Sequence, residues 1–162
     1  MLLRFTEKLS KKLKTGSLTK VEEEPGPYLN WYAHLFTANR VQYILTTEAK
    51  SLLTLVMYGR GISDDGIYIK YLLSEMREYL ADTGNRLIFE RIIAPKTGKI
   101  TLSKTKSKSV LGSMNDMVKI SKIYLEREEM SPWDLSERVN RIPFKAIGYK
   151  RPKEAFNNLE LR

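Results

Sequence analysis

Few residue types in this sequence can do chemistry, and their spacing decides how far each one goes. His34 is the single histidine and cysteine is absent. A His–His metal site, a thiolate nucleophile, a Cys-ligated zinc or iron–sulfur centre and a disulfide framework are therefore all excluded. Serine hydrolysis would need this same histidine, and there is no Gly-x-Ser-x-Gly elbow. Carboxylates remain: Asp64 with Asp65, Glu75 with Glu78, Glu90, Asp116, and the cluster Glu126, Glu128, Glu129. Some pairing of these could hold Mg²⁺ or Mn²⁺, as hydrolytic nucleases do. Nothing in the spacing selects a pair. Asp64 and Asp65 are explained as acids at a helix N-terminus, and the 126–129 cluster as a solvated helix end. No catalytic residue, metal ligand or cofactor is assigned on these grounds.

Two glycine-containing turns could meet an anion. Gly59-Arg60-Gly61 sits between an expected strand and an expected helix, where free backbone N–H groups can bind phosphate. It lacks the Gly-x-Gly-x-x-Gly and Gly-Lys-Ser/Thr patterns, and Asp64 and Asp65 would repel the anion, so a plain turn is the better reading. The segment 112–116, Gly-Ser-Met-Asn-Asp, reads as a second polar helix start just after Lys104, Lys106 and Lys108, with capping by Ser113 as its simplest role. Trp31, Tyr32, Phe36 and Tyr43 could stack bases beside Arg40 if exposed, although aromatics at helical spacing are more often core.

Positive charge is the strongest functional signal. The 162 residues hold 28 Lys plus Arg against 19 Asp plus Glu, a formal net charge of +9. The excess is blocked. Residues 1–20 hold Arg4, Lys8, Lys11, Lys12, Lys14 and Lys20 against Glu7 alone. Residues 91–108 hold Arg91, Lys96, Lys99, Lys104, Lys106 and Lys108 with no acid. A third block, Arg138, Arg141, Lys145, Lys150, Arg151 and Lys153, is equally unopposed. If these blocks converge on one face, they make a field that concentrates polyanions.

The elements that must position these residues follow from periodicity. Residues 2–5 read as a strand, with Thr6 capping a helix from Glu7 to about Lys14, closed by Gly16. Residues 15–27 form a linker ending in Pro-Gly-Pro, too short to divide two domains. Asn30 is expected to cap a short aromatic helix, on which Tyr28, Tyr32, Phe36 and Trp31, Leu35 form four-residue steps. Strands at 41–46 and 52–58 make one hairpin, and 86–93 with 99–103 a second, lysine-tipped one. Between them, Ile69, Leu72, Leu73, Met76 and Leu80 mark a helix starting at Asp64 and ending near Gly84. Helices are also expected from Ser113, from Ser131-Pro132 and from Pro152. The sum is one α+β domain, 1–162, with an antiparallel sheet of two hairpins and an N-terminal strand packed with about five helices. No apolar run reaches the roughly 20 residues of a bilayer span, and the order of apolar and charged residues at the start is the reverse of a signal peptide.

The segments Thr6-Glu7-Lys8-Leu9, Trp31-Tyr32-Ala33-His34-Leu35-Phe36-Thr37 running to Arg40, Tyr58-Gly59-Arg60-Gly61, Gly112-Ser113-Met114-Asn115-Asp116, and Ser131-Pro132 running to Ile142-Pro143-Phe144 together resemble an uncharacterised bacterial family, catalogued as a domain of unknown function, over nearly the full length. The resemblance implies a bacterial, cytoplasmic protein and carries no activity, substrate or cofactor. Its matched polar positions are Thr6, Lys8, Trp31, Arg40, Asn115 and Asp116, of which Thr6, Trp31, Asn115 and Asp116 make a candidate polar site. Three functions are expected in this order. The first is a non-enzymatic binding or regulatory module that engages nucleic acid or another polyanion through Lys8, Lys11, Lys12, Arg40, Lys104, Lys106 and Lys108. The second is a metal-dependent phosphodiesterase using carboxylates. The third is a protein-interaction module of a regulatory or defence pair, its basic faces meeting an acidic partner. A homodimer covering the aromatic segment is a further expectation.

Overall fold

Four apolar and basic residues, Leu2–Phe5, form the strand β1 around which the sheet is organised. In the computed structural model, which describes residues 1–159, β1 lies between two parallel neighbours, β2 (Asn30–Ala38) and β5 (Thr101–Lys104). β2 continues antiparallel to β3 (Val41–Glu48), and β3 to β4 (Thr54–Tyr58), in the order β4-β3-β2-β1-β5. The α+β class expected from the sequence is found. The sheet is mixed, however, and not the antiparallel pair of hairpins that the turn signals predict. Among the described residues, six helices pack around it: α1 (Glu7–Leu13), α2 (Asp65–Asp82), α3 (Arg86–Ile88), α4 (Lys108–Arg127), α5 (Pro132–Val139) and α6 (Pro152–Asn157).

Three local expectations fail for physical reasons. The aromatic segment is strand β2, because both of its faces are buried. Trp31, Ala33 and Leu35 point into a layer built by α1, α2 and α6, while Tyr32, Phe36 and Ala38 point into a layer built by α4 and α5. A strand covered on both sides loses its polar alternation and can imitate a helix. Its connection to β3 is the two-residue turn Asn39-Arg40, with φ of 49° and 63°, the left-handed pair of a tight hairpin. Residues 86–96 are helical rather than a strand: α3 passes into a π turn (Phe89–Ile93) and a 3₁₀ turn (Ala94–Lys96). Phe89 and Ile93, four apart, are buried there, and Arg86 pairs with Glu90 at 2.6 Å. The second hairpin therefore does not exist, and β5 pairs with β1 instead. Finally, α4 starts at Lys108, with the Ser107 side chain accepting from the Val110 N–H. Ser113 lies in mid-helix.

Both sheet edges are closed. On β4, the Asn140 side chain accepts from the Thr54 N–H at 2.8 Å and donates to the Thr54 carbonyl at 2.8 Å, while Ser136 Oγ accepts from the Val56 N–H at 2.8 Å. On β5, the Lys104 N–H donates to the Thr19 carbonyl of the 15–27 linker at 2.9 Å. These bonds occupy backbone groups that would otherwise invite another strand.

Candidate polyanion-binding cleft

The two parallel strands β1 and β5 send the chain to opposite faces of the sheet. β1 runs through Thr6 into α1 on one face, and β5 runs through Thr105 into α4 on the other. Where neighbouring parallel strands diverge in this way, a crevice opens beyond their C-terminal ends. Here it is a cleft of about 590 Å³. Lys11 and Lys14 reach it from α1 and its C-cap, Lys104 from the end of β5, and the hydroxyl residues Ser10, Ser17 and Thr105 complete its polar lining. Among the described residues, Glu7 is the one acid on the wall. It pairs with Lys11 at 3.2 Å across two exposed side chains, a contact worth about 0–1 kcal/mol. Lys14 and Lys104 have no ion-pair partner among the described residues. Lys14 also holds a left-handed backbone, φ 55°, at a C-cap position where glycine is usual. A lysine there carries a conformational cost of about 1–2 kcal/mol, and it lines the cleft.

Arg4 precedes the lining Phe5 on β1 and does not itself line the cleft. Its side chain is 1% exposed and has no carboxylate partner among the described residues. The guanidinium donates to Ser103 Oγ (2.9 Å), the Lys104 carbonyl (3.1 Å) and the Val21 carbonyl (2.6 Å), and it lies 5.9 Å from the Tyr32 ring centroid. These neutral acceptors hold the linker against β5 without cancelling the charge. A buried cation without a carboxylate partner is screened less than a surface lysine.

A second basic spot flanks α1. His34 is half-buried, and its Nδ1 lies 3.0 Å from Thr6 Oγ1. Burial holds the imidazole pKa below its ordinary value, and the charges of Lys8 and Lys122 lower it further. Thr6 thus makes no side-chain cap for α1; its hydroxyl orients His34.

The structure brings together part of the basic set expected from sequence. Lys11 and Lys104 share the cleft, and Lys8 stands beside His34. Lys12 donates to Gln42 Oε1 at 2.8 Å, Lys106 pairs with Glu22 at 3.2 Å, and Lys108 is exposed in the first turn of α4. Arg40 occupies the β2–β3 turn and does not line the cleft. The third basic block surrounds a separate cavity lined by Arg141, Arg151 and Lys153. Lys14 was visible in the first block, yet only the geometry distinguishes it from its neighbours. Of the candidate polar set, Trp31 is fully buried and its Nε1–H donates to the Tyr28 carbonyl. Asn115 and Asp116 are exposed in the middle of α4. Among the described residues, neither makes a side-chain hydrogen bond to Thr6, whose hydroxyl faces His34. The aromatics proposed for base stacking are core: Tyr32, Phe36 and Tyr43 are at most 6% exposed. Asp64 caps α2, accepting from the Ile67 N–H at 2.8 Å. Among the described residues, no group of three or more His, Cys, Asp and Glu side chains is placed to hold a metal ion, and no helix is long and apolar enough to cross a membrane.

A family model for a domain of unknown function, DUF6933, matches residues 2–155. The chain belongs to this family. No curated protein and no solved structure matches it. The DUF6933 match runs from β1 into α6, so the cleft, the linker that covers Arg4 and the His34 spot all lie within the family domain.

Proposed function

We propose that this DUF6933 chain is a non-enzymatic binding module whose cleft beyond β1 and β5 engages nucleic acid or another polyanion. The observation that carries the reading is the meeting of Lys11, Lys14 and Lys104 in one cleft with a single acid on its wall. Lys8 on α1 and Lys122 on α4, both close enough to act on His34, add the same sign of charge nearby. With Trp31, Tyr32, Phe36 and Tyr43 in the core, and with no aromatic side chain but Phe5 among the described residues lining the cleft, these rings offer no platform for bases. Recognition then runs through phosphates and is largely independent of sequence.

The test is a fluorescence-anisotropy titration with labelled single-stranded DNA, duplex DNA and RNA, each at two salt concentrations, with and without Mg²⁺. Micromolar binding that weakens steeply with salt and does not require Mg²⁺ supports the proposal. Flat curves for all three ligands reject it. Mg²⁺-dependent cleavage would instead return the carboxylate reading, and an acidic protein that copurifies without nucleic acid would favour an interaction module.

A further inference from the structure

On a different part of the molecule, α2 presents Tyr71, Glu75 and Glu78 at four- and three-residue steps, hence on one helix face. That face borders a groove of about 410 Å³, whose other walls are Tyr58 at the end of β4, the Arg60 to Ile62 loop, and Pro132 with Trp133 at the start of α5. The volume is at the lower end of ordinary small-ligand sites. Tyr58 and Tyr71 are 50% and 55% exposed, unusually wet for rings of their size. Two of the rings are nonetheless held from behind: Tyr58 lies 5.5 Å from Tyr43, and Trp133 lies 5.3 Å from Tyr79. Each of these two rings thus has a core aromatic as its neighbour. Val56, Met57 and Ile62 supply apolar surface between them.

The charge of the groove is opposite to that of the protein. Glu75 and Glu78 both line it and have no ion-pair partner among the described residues. Glu75 is half-buried, and burial together with the neighbouring Glu78 raises its pKa. Among the described residues, Arg60 is the one cation on the wall, and it is exposed. The groove is thus an anionic, aromatic-walled pocket on a chain of net charge +9. Aromatic faces attract cations, and most effectively those that give up water readily. A bare ammonium is strongly hydrated, whereas an alkylated one carries its charge under a methyl shell that the rings and aliphatic side chains can cover.

We propose that Tyr58, Tyr71 and Trp133, with Glu75 and Glu78, form a binding site for an alkylated ammonium head group, such as a quaternary amine or a methylated lysine side chain. The site is independent of the basic cleft and takes ligands of the opposite charge.

The experiment titrates the full chain with tetramethylammonium, choline, ammonium, the uncharged carbon analogue of choline, and a short trimethyllysine peptide, against sodium chloride at matched ionic strength. Tryptophan emission reads the binding: Trp31 is sealed in the core, so Trp133 is the responding fluorophore, and Trp133→Phe removes the response. Saturable binding of the alkylated cations is expected, with the uncharged analogue and ammonium weaker by about tenfold. Glu75→Gln with Glu78→Gln, and separately Tyr71→Ala, should each weaken binding by a similar factor. Tyr71 and Glu78 are exposed and the glutamine changes are isosteric, so unchanged thermal melts confirm that these variants are folded. If both choline and the peptide bind, the head group suffices; if choline binds and the peptide does not, the ligand is a free amine. Binding of the peptide without tetramethylammonium or choline, equal binding of the uncharged analogue, or an unaltered response in the double glutamine variant would each overturn the proposal.

Discussion

Asn140→Ala asks whether the mixed sheet is held at its β4 edge by a single buried amide. Asn140 is fully buried, and its side chain makes three bonds: it accepts from the Thr54 N–H (2.8 Å) and donates to the Thr54 carbonyl (2.8 Å) and to the Tyr79 hydroxyl (2.9 Å). Alanine would leave three polar groups without partners where water has little access. Each such loss costs about 1–3 kcal/mol. The space vacated by the amide can admit a water that recovers part of this, so the expected loss is about 3–5 kcal/mol. For a chain of this size, each kcal/mol corresponds to about 2–4 °C, which places the fall in Tm at about 6–20 °C. Urea unfolding should show a lower midpoint at unchanged slope. Ser136→Ala, which removes the acceptor for the Val56 N–H, is the internal comparison and should cost about 1–2 kcal/mol. A loss below about 1 kcal/mol for Asn140→Ala would refute the reasoning, because the edge would then be held by packing alone.

Other consequences follow from the buried charges. The lone imidazole gives one set of ring proton resonances, and its titration midpoint should lie below the ordinary histidine value. Lys8→Gln with Lys122→Gln should raise that midpoint, and an unmoved midpoint would contradict the placement of these lysines. Since the folded state disfavours the proton on His34, the unfolded chain takes it up first. The stability contributed by the neutral ring is thus present above the ordinary value and lost as pH falls through the folded one. Glu48 has the opposite consequence. Burial raises its carboxyl pKa even though Oε2 accepts from the Lys50 N–H, the Ser51 N–H and Ser51 Oγ. Its contribution is therefore largest below the ordinary carboxylate value and is lost as pH rises through the folded-state value. Glu48→Gln should flatten that part of the stability profile, and an identical profile would count against it. Arg4→Ala removes the donors to Val21, Ser103 and Lys104 and should make the 15–27 linker several-fold more sensitive to limited proteolysis; unchanged cleavage would show that the linker is held otherwise.

How much of this was legible in the sequence differs between elements. Helix α2 was readable because Asp64 caps it and its buried positions, Leu72, Met76 and Leu80 among them, keep a helical period. The Ser131-Pro132 start of α5 was readable for the same kind of reason, with Ser131 accepting from the Asp134 N–H. Strand β2 was not, because burial on both faces erased the alternation that separates strand from helix. The pairing of β1 with β5 joins residues about a hundred positions apart, and no local pattern encodes it. The same limit applies to the site. Charge blocks disclosed Lys11 and Lys104 but could not show that these two converge with Lys14, or that Arg141 and Arg151 stand elsewhere. Trp31 belonged to a recognisable motif, yet its role is to fill the core and bond Tyr28. The groove lined by Glu75 and Trp133 joins α2 to α5, a juxtaposition visible only once the chain is folded.

The most direct test of the basic cleft is the salt dependence of polyanion affinity in three proteins: the unaltered chain, Lys14→Glu with Lys104→Glu, and Arg141→Glu with Arg151→Glu. The two double variants change net charge equally, so they separate the cleft from a general electrostatic effect. Each lysine–phosphate contact contributes about 0.7 to the slope of log affinity against log salt for single strands. The cleft variant should lose about 1.4 of that slope and weaken binding for all sequences alike, while the variant at the third basic block should keep most of the slope. Equal losses in the two variants, or none in the first, would contradict a cleft built by Lys11, Lys14 and Lys104.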